Sequence, residues 1–139
     1  MGKRRKSRES ALKVLYQRDI TQQKDAARIL TQYQDHFEHE GEKDDFAESL
    51  VLGVLAHEKE IDALIVRYSK NWRLDRMTII DRNILRIAIF ELLHCEEIPP
   101  KVTLNEAIDL GKRFGSEESG SFINGILDRI QNESIKKPA

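Results

Sequence analysis

The stretch that decides the fold runs from Ile79 to His94 and reads IIDRNILRIAIFELLH. Ten of its sixteen residues are apolar, and on a helical wheel they leave no clean polar face, so such a helix is buried on several sides. A single buried strand would be shorter, and no Gly or Pro interrupts the run. Thr78 offers an N-cap oxygen just before it, and Asp81 lies in the first turn, where the helix dipole favours an acid. We therefore predict a central helix with other helices packed around it.

Arg86 places a positive charge in the middle of this apolar stretch. A buried charge is normally paired, because taking it out of water without a partner is strongly unfavourable. If the central helix is buried all round, an acid from a different helix is expected within hydrogen-bonding range of Arg86.

The length and composition of the chain are those of one globular domain. It has 139 residues, of which 34% are charged, and a net charge of −1. Its single cysteine excludes an internal disulfide and suits a reducing compartment. No apolar segment follows the basic N-terminus, as a secretory signal would require, and no apolar run is long enough to span a bilayer. We expect a cytoplasmic protein that does not bind membranes.

Apolar residues recur at steps of three and four along the chain, and no strand pattern is visible. This periodicity predicts an all-α fold, a bundle of about six to seven helices. The first helix is expected to start near Ser7, a candidate cap, and Lys24 to Phe37 to form the second. Thr103 and Glu106 have the spacing of a capping box for a later helix. Gly111 inside that helix predicts close packing by a neighbour. The apolar stripe of the first helix consists of Ala11, Leu12, Val14, Leu15 and Ile20, with Tyr16 at its flank.

The domain boundaries follow from charge. Residues 1–8 carry five cations and no acid, and with no apolar residue there except Met1 we predict a basic flexible arm. A single all-helical domain is expected at 9–135, with two small helical subdomains, 9–70 and 71–135, around the buried central helix. Residues 136–139 form a basic tail.

Candidate catalytic and metal-binding residues are few. His36 and His39 lie in an acidic stretch, where a metal site is conceivable, but a solvated loop is the simpler interpretation. His94 beside Cys95 suggests a nucleophile pair, yet neighbours in a helix do not face each other, so a packed thiol is favoured. No phosphate-binding glycine loop or serine elbow occurs. We predict a protein that is not an enzyme and that needs no cofactor or metal.

The basic residues suggest nucleic acid instead. The cations Lys3, Arg4, Arg5, Lys6 and Arg8 stand next to a helix start and suit phosphate groups, whose contacts release condensed counterions. A second cluster, Lys112 and Arg113, stands beside Phe114 and shortly before Phe122. Phenylalanines next to cations can stack on unpaired bases, although both rings could equally belong to the core.

Five stretches of sequence, in order, resemble the NusB family of bacterial transcription antitermination factors. They begin with KRRKSRESALKVLYQRD (Lys3–Asp19) and the segment Trp72–Met77 followed by DRNILRIAIFELL (Asp81–Leu93). IPPKVTLNEAIDLGKRFG (Ile98–Gly115) and FINGILD (Phe122–Asp128) complete them. The resemblance covers nearly the whole chain and implies an all-helical protein that binds single-stranded boxA RNA of nascent ribosomal RNA. It also implies a heterodimer with NusE, a ribosomal protein of the small subunit, that joins an RNA polymerase antitermination complex.

The resemblance also implies roles for particular residues. Phe122 and the region of Glu118 match a second RNA-contacting segment of the family. Two departures matter: the arm mixes Lys with Arg, which keeps the charge but loses bidentate forks, and Glu118 puts an acid near phosphates. The arm residues Lys3, Arg4, Arg5, Lys6 and Arg8 match the family's arginine-rich RNA-binding start. The positions expected to face NusE are Tyr16, Asp75 and Asp81.

Three other interpretations compete with an RNA- and protein-binding module. Similar helical domains precede RNA methyltransferase domains, but in a chain that ends at Ala139 we expect no catalytic domain. A homodimer through the apolar surface is compatible with RNA binding and is an open alternative. A DNA-binding helix-turn-helix is disfavoured, because no helix shows an exposed face of base-reading side chains at clear spacing.

Overall fold

Six helices make up most of the chain that the structure, a computed structural model, describes. The described residues are 3–22, 25, 28, 29, 31, 45–69 and 77–133. No strand occurs in these ranges, so the all-α prediction is confirmed, and none of their helices is long and apolar enough to cross a membrane. The helices are α1 (Lys3–Thr21), α2 (Asp45–Ala56), α3 (Glu58–Tyr68), α4 (Ile79–His94), α5 (Pro100–Phe114) and α6 (Ser119–Glu133).

Parts of the predicted organisation fall outside these residues. Most of the helix expected at Lys24–Phe37 does so, although Ile29 is described and buried. The proposed subdomains 9–70 and 71–135 stay a prediction.

Helix α4 is the central helix predicted from its sequence. It packs against all five other described helices, and every residue from Asn83 to Glu91 is buried. Its N-terminus is capped as expected, because the Thr78 hydroxyl accepts the backbone N–H of Asp81 at 3.1 Å. Burial on all sides is why the stretch tolerates no polar face.

Two glycines let neighbouring helices approach closely. A Cβ atom on Gly53 of α2 would overlap the ring of Phe90 on α4. A Cβ on Gly111 of α5 would lie 2.8 Å from Cδ1 of Ile123 on α6, which confirms the close packing predicted at Gly111. Any larger residue at either position must push the helices apart or displace the facing side chain.

The predicted flexible arm is wrong for Lys3 to Arg8, which form the first turns of α1. Ser7 does not cap the helix; its hydroxyl donates to the carbonyl of Lys3 at 3.0 Å, within the helix. Arg8 is 4% exposed, and its guanidinium donates to both carboxylate oxygens of Glu91 on α4, at 2.7 and 2.8 Å. The segment is therefore held by ion pairs, although it lacks apolar residues.

The capping box predicted at Thr103 and Glu106 is also wrong. Helix α5 begins three residues earlier, at Pro100, with Pro99 as its N-cap, and proline is favoured in the first turn because its missing N–H is not needed there. Thr103 is buried and donates its hydroxyl hydrogen bond to Glu91 at 2.9 Å. Both residues serve interhelical contacts instead of a cap.

The partner expected for Arg86 is present and comes from two helices. Arg86 is 6% exposed and donates to both carboxylate oxygens of Asp62 on α3, at 2.8 and 3.0 Å. It also donates to Asp19 on α1 at 3.1 Å. The prediction is confirmed, and this network joins the end of α1 to α3 and α4.

Asp19 is the acid in this network with the most cationic neighbours. Burial by itself would raise the pKa of Asp19, but the hydrogen bond from Asn83 and the charges of Arg86 and Arg82 outweigh it. The pKa of the Asp19 carboxyl therefore lies below its ordinary value of 3.8. Folding therefore favours the charged form of the Asp19 carboxyl.

We expect this network to make stability fall in acid. Glu58 follows the same pattern as Asp19: burial would raise its pKa, but Arg18 and Arg86 hold it below its ordinary 4.5. Because both pKa values are lowered by folding, the stabilisation is complete above the unfolded values and is lost as pH falls through the folded values. Urea unfolding measured from pH 7 down to pH 3 should show the free energy of unfolding declining below about pH 4.5.

The variant Asp19→Asn tests whether Asp19 contributes to that decline. It should be less stable than the parent at pH 7 and should lose less stability between pH 5 and pH 3, since one linked carboxyl is gone. An identical acid decline in both proteins would show that Asp19 is not linked to folding.

Candidate functional site

The cations at the start of α1 are divided between surface and interior. We call Lys3, Arg4, Arg5 and Lys6 the N-terminal basic surface. Three of them, Lys3, Arg4 and Lys6, are exposed. Arg8, predicted to bind RNA with them, is buried in its pair with Glu91, so its assignment as an RNA contact is corrected to a core ion pair.

Arg5 spans the gap between α1 and α5. Its guanidinium donates to Glu106 at 3.0 and 2.9 Å and to Asp109 at 2.7 Å. The hydrogen bond from Arg5 lowers the pKa of Glu106. Two acids therefore offset part of the positive charge of the N-terminal basic surface and fix the position of Arg5.

Arg4 is held more loosely, by different neighbours from those of Arg5. Its guanidinium lies 4.5 Å from the centroid of the Phe46 ring and 3.9 Å from Glu97, and about half of its side chain is exposed (51%). An exposed cation over an aromatic face gains little from that contact, so Arg4 remains available to a phosphate.

The second basic cluster lies at the other end of the α1–α5 pair. Arg113 is exposed, pairs with Glu9 on α1 and lies over the ring of Phe114, 5.1 Å from its centroid. Lys112 is exposed too, and its aliphatic stem covers Gly120 on α6, where an added Cβ would be 3.3 Å from Lys112 Cγ. Because α1 residues 5 and 9 contact α5 residues 109 and 113 in parallel order, both basic groups border the same helix pair.

The residues predicted to contact RNA near α6 are two positions on either side of Gly120, which packs against Lys112. Glu118 is exposed just before α6 begins, and Phe122 is partly buried, packed against the core. Gly120, under the stem of Lys112, stands between them in the chain. Lys112 therefore packs on the α6 segment that lies between Glu118 and Phe122 in the chain, while the N-terminal basic surface lies at the start of α1.

An apolar groove opens between α1, the start of α4 and the end of α5. Its volume is about 340 Å³, and its apolar walls include two exposed side chains of α1, Tyr16 (39%) and Ile20 (55%). Ile20 belongs to the apolar stripe predicted for the first helix, but unlike the other members of that stripe its side chain is exposed. The residues that line the groove are Glu9, Leu12, Lys13, Tyr16, Gln17, Ile20, Ile80 and Phe114.

Two acids were predicted to face a protein partner together with Tyr16. Asp75 lies outside the described residues. Asp81 follows groove residue Ile80 in α4 and is 7% exposed; its Oδ1 atom is buried and accepts no hydrogen bond from the described part of the chain. A buried acceptor without a donor is unfavourable, so a donor brought by a partner would stabilise it.

The groove could have been read partly from the sequence. Leu12, Tyr16 and Ile20 are spaced four apart and share one helix face. Leu12 is buried with the core, whereas Tyr16 and Ile20 farther along this face are exposed. Ile80 and Phe114 complete the groove from distant positions, and no local pattern indicates that contact.

Cys95 behaves as the packed thiol that was predicted. It is 8% exposed, and burial, with the charges of Glu97 and Glu91, raises its pKa to about 11. Very little thiolate is present at neutral pH, so the residue is a poor nucleophile. The other predicted candidates, His36 and His39, lie outside the described residues.

Comparison with known proteins agrees over the whole chain. A family model described as the NusB family matches residues 5–132. The transcription antitermination protein NusB of Myxococcus xanthus is 50% identical over 141 residues, covering 99% of this chain and 100% of that protein. T. maritima NusB superposes with a TM-score of 0.86 at 38% identity, covering 97% of this chain and 94% of that one. A structure of the antitermination factors NusB and NusE in complex with double-stranded RNA gives 0.80 at 26% identity, covering 93% and 96%. The chain belongs to the NusB family.

Proposed function

We propose that this protein is a non-catalytic transcription antitermination factor that binds boxA RNA of nascent ribosomal RNA. It does so as a heterodimer with NusE, and the pair joins an RNA polymerase antitermination complex. The observation that carries the proposal is the fit to a NusB that was solved together with NusE and RNA, at 26% identity over 93% of this chain.

The surface chemistry supports the RNA part. Lys3, Arg4 and Lys6 are exposed on the first turns of α1, where their cations can contact the phosphates of a nucleic-acid backbone. Lys112 and the partly buried Phe122 offer a cation and an apolar ring on the neighbouring region, a combination that suits unpaired bases. Phosphate contacts would position the strand, and the region around Phe122 would read its bases.

The apolar groove supports the protein part. Exposed Tyr16 and Ile20 beside a concave apolar surface form the kind of aromatic-centred patch that dominates protein interfaces. The buried Oδ1 of Asp81, the residue after Ile80, accepts no hydrogen bond from the described residues and would supply an acceptor for a partner's N–H group. NusE is the partner that we assign to this groove.

Salt dependence tests the role of the exposed lysines. Each phosphate contact contributes about 0.7 to the slope of log affinity against log salt for a single strand. The double variant Lys3→Ala/Lys6→Ala should therefore flatten the slope by up to about 1.4 and weaken binding to boxA and scrambled strands alike. Fluorescence anisotropy over a series of salt concentrations measures the slope and the affinity, on single strands and on a duplex.

A matched double variant removes two exposed cations from α3, as Lys59→Ala/Arg67→Ala. Its slope should equal that of the parent. If the lysine variant also keeps the parent's slope, the α1 cations do not contact RNA. Equal affinity of the parent for boxA and scrambled strands would overturn the boxA assignment itself.

A further inference from the structure

Two histidines and a glutamate meet at the surface where three helices converge. His57 joins α2 to α3, Glu60 lies in the first turn of α3, and His94 is the last residue of α4. Glu60 Oε1 is 3.7 Å from His57 Nδ1 and 3.5 Å from His94 Nε2. One ligand atom from each of the three residues lies within 4.8 Å of the other two.

We propose that His57, Glu60 and His94 form a binding site for one divalent transition-metal ion of the Zn²⁺ class. Imidazole and carboxylate groups are the ligands that such ions share, and two histidines with one glutamate make a known zinc ligand set. Zinc bonds of about 2.0–2.1 Å in a tetrahedron put neighbouring ligand atoms roughly 3.4 Å apart. The two distances to Glu60 are within a few tenths of an ångström of that spacing.

The surroundings allow the small adjustment that remains. The rings of His57 and His94 are stacked, with centroids 4.0 Å apart and an angle of 24° between their planes. One ring must therefore turn to aim both nitrogens at one ion. All three side chains are about one-third to one-half exposed, which leaves them room to move. Phe90 packs against both imidazoles, 6.1 and 5.4 Å away between centroids, and forms an apolar wall behind the site.

Such an ion would cross-link two parts of the fold. His94 belongs to the central helix, whereas His57 and Glu60 belong to the junction of α2 and α3, so one ion would tie that junction to the end of α4. Three protein ligands leave a coordination position for water at this solvent-facing site. Because metal is bound by the folded arrangement, it should stabilise the fold, and the stabilisation should rise with the logarithm of the free metal concentration once that concentration exceeds the Kd.

The same geometry could reflect only a histidine–carboxylate ion pair, and metal titration separates the two. The chain has four histidines, so the background His36→Gln/His39→Gln removes the other two and leaves any histidine-dependent binding to this site. In that background, Zn²⁺ should raise the Tm, EDTA should reverse the rise, and Co²⁺ should bind once per chain with visible d–d absorption bands.

Substitutions assign the ligands. His94→Gln and His57→Gln should each weaken Co²⁺ and Zn²⁺ binding at least about tenfold, and Glu60→Gln should do the same. Glu96→Gln removes an exposed acid close to His94 in the chain and should leave binding unchanged. Circular dichroism confirms that each variant keeps its helices.

Two results would overturn the proposal. The first is the absence of saturable Zn²⁺ or Co²⁺ binding in the His36→Gln/His39→Gln background, which would leave only the ion pair. The second is unchanged affinity in His94→Gln, which would place the metal elsewhere. Neither result bears on RNA or NusE binding, so the site is tested separately from the proposed function.

Discussion

Arg8→Met should lower the free energy of unfolding by about 3–5 kcal/mol, the cost of leaving a buried charge without its partner. The side chain of Glu91 is 1% exposed and that of Arg8 is 5% exposed. The two are joined by a pair of hydrogen bonds, at 2.7 and 2.8 Å. Without Arg8, the carboxylate keeps the hydroxyl of Thr103 and loses its cation. Urea unfolding at pH 7 measures the change.

The double variant Arg8→Met/Glu91→Met is the control for this effect. Removing both members of a buried ion pair and filling the space with apolar atoms is often close to neutral, so much of the lost stability should return. Arg4→Met, on the exposed side of α1, should change stability by no more than about 0.5 kcal/mol. If Arg8→Met unfolds like the parent, Arg8 is a surface residue and the predicted arm is right after all.

The central helix was predictable because its sequence carries the signal within sixteen residues. The run from Ile79 to His94 is apolar on every side, and only burial by several neighbours satisfies such a helix. The same reasoning extended to Arg86, since a charge inside that run must be paired. Which acids pair with it was not predictable, because Asp19 and Asp62 lie 67 and 24 residues away in the chain.

The start of α1 was missed for the same reason. Apolar periodicity detects a helix that is held by hydrophobic packing. The segment from Lys3 to Arg8 contains no apolar residue, so it shows no such periodicity. Its anchors are Arg5 with Glu106 and Arg8 with Glu91, contacts across 101 and 83 residues. A run of cations predicts a solvated arm unless the acids that pair with it are known. Those acids are distant in the sequence, so only the folded structure identifies them.

The helical structure of residues 3–8 changes which of the N-terminal cations are available to RNA. Of five cations expected to contact RNA, Arg8 stabilises the core and Arg5 is shared with Glu106 and Asp109. The residual positive charge is concentrated on Lys3, Arg4 and Lys6. An ordered helix also presents these three at fixed spacing, so less conformational entropy is lost on binding RNA than with a flexible arm.

Only part of the proposed partner surface could be predicted from the sequence. Tyr16 was singled out by its hydroxyl at the flank of the apolar stripe, and it is exposed at 39%. Ile20 follows Tyr16 by four residues and lies at the surface (55% exposed), on the side of α1 that lines the groove. Ile80 and Phe114, which face it across the groove, belong to α4 and α5.

Tyr16→Asp is the decisive variant for that groove. An interface aromatic of this kind typically contributes at least 2 kcal/mol to binding, and a charge on an apolar contact adds a desolvation cost. Calorimetry with NusE from the same bacterium should therefore show affinity reduced about thirtyfold or more. RNA affinity measured without NusE should be unchanged, because the groove and the N-terminal basic surface are separate.

Val66→Asp is the matched control, since Val66 is 50% exposed on α3 and does not line the groove. It places the same charge on another apolar surface position and should leave NusE affinity at the parent's value. If a folded Tyr16→Asp protein binds NusE as tightly as the parent, the groove is not the NusE-binding site. Loss of the fold in Tyr16→Asp would instead make Tyr16 a core residue, against its exposure of 39%.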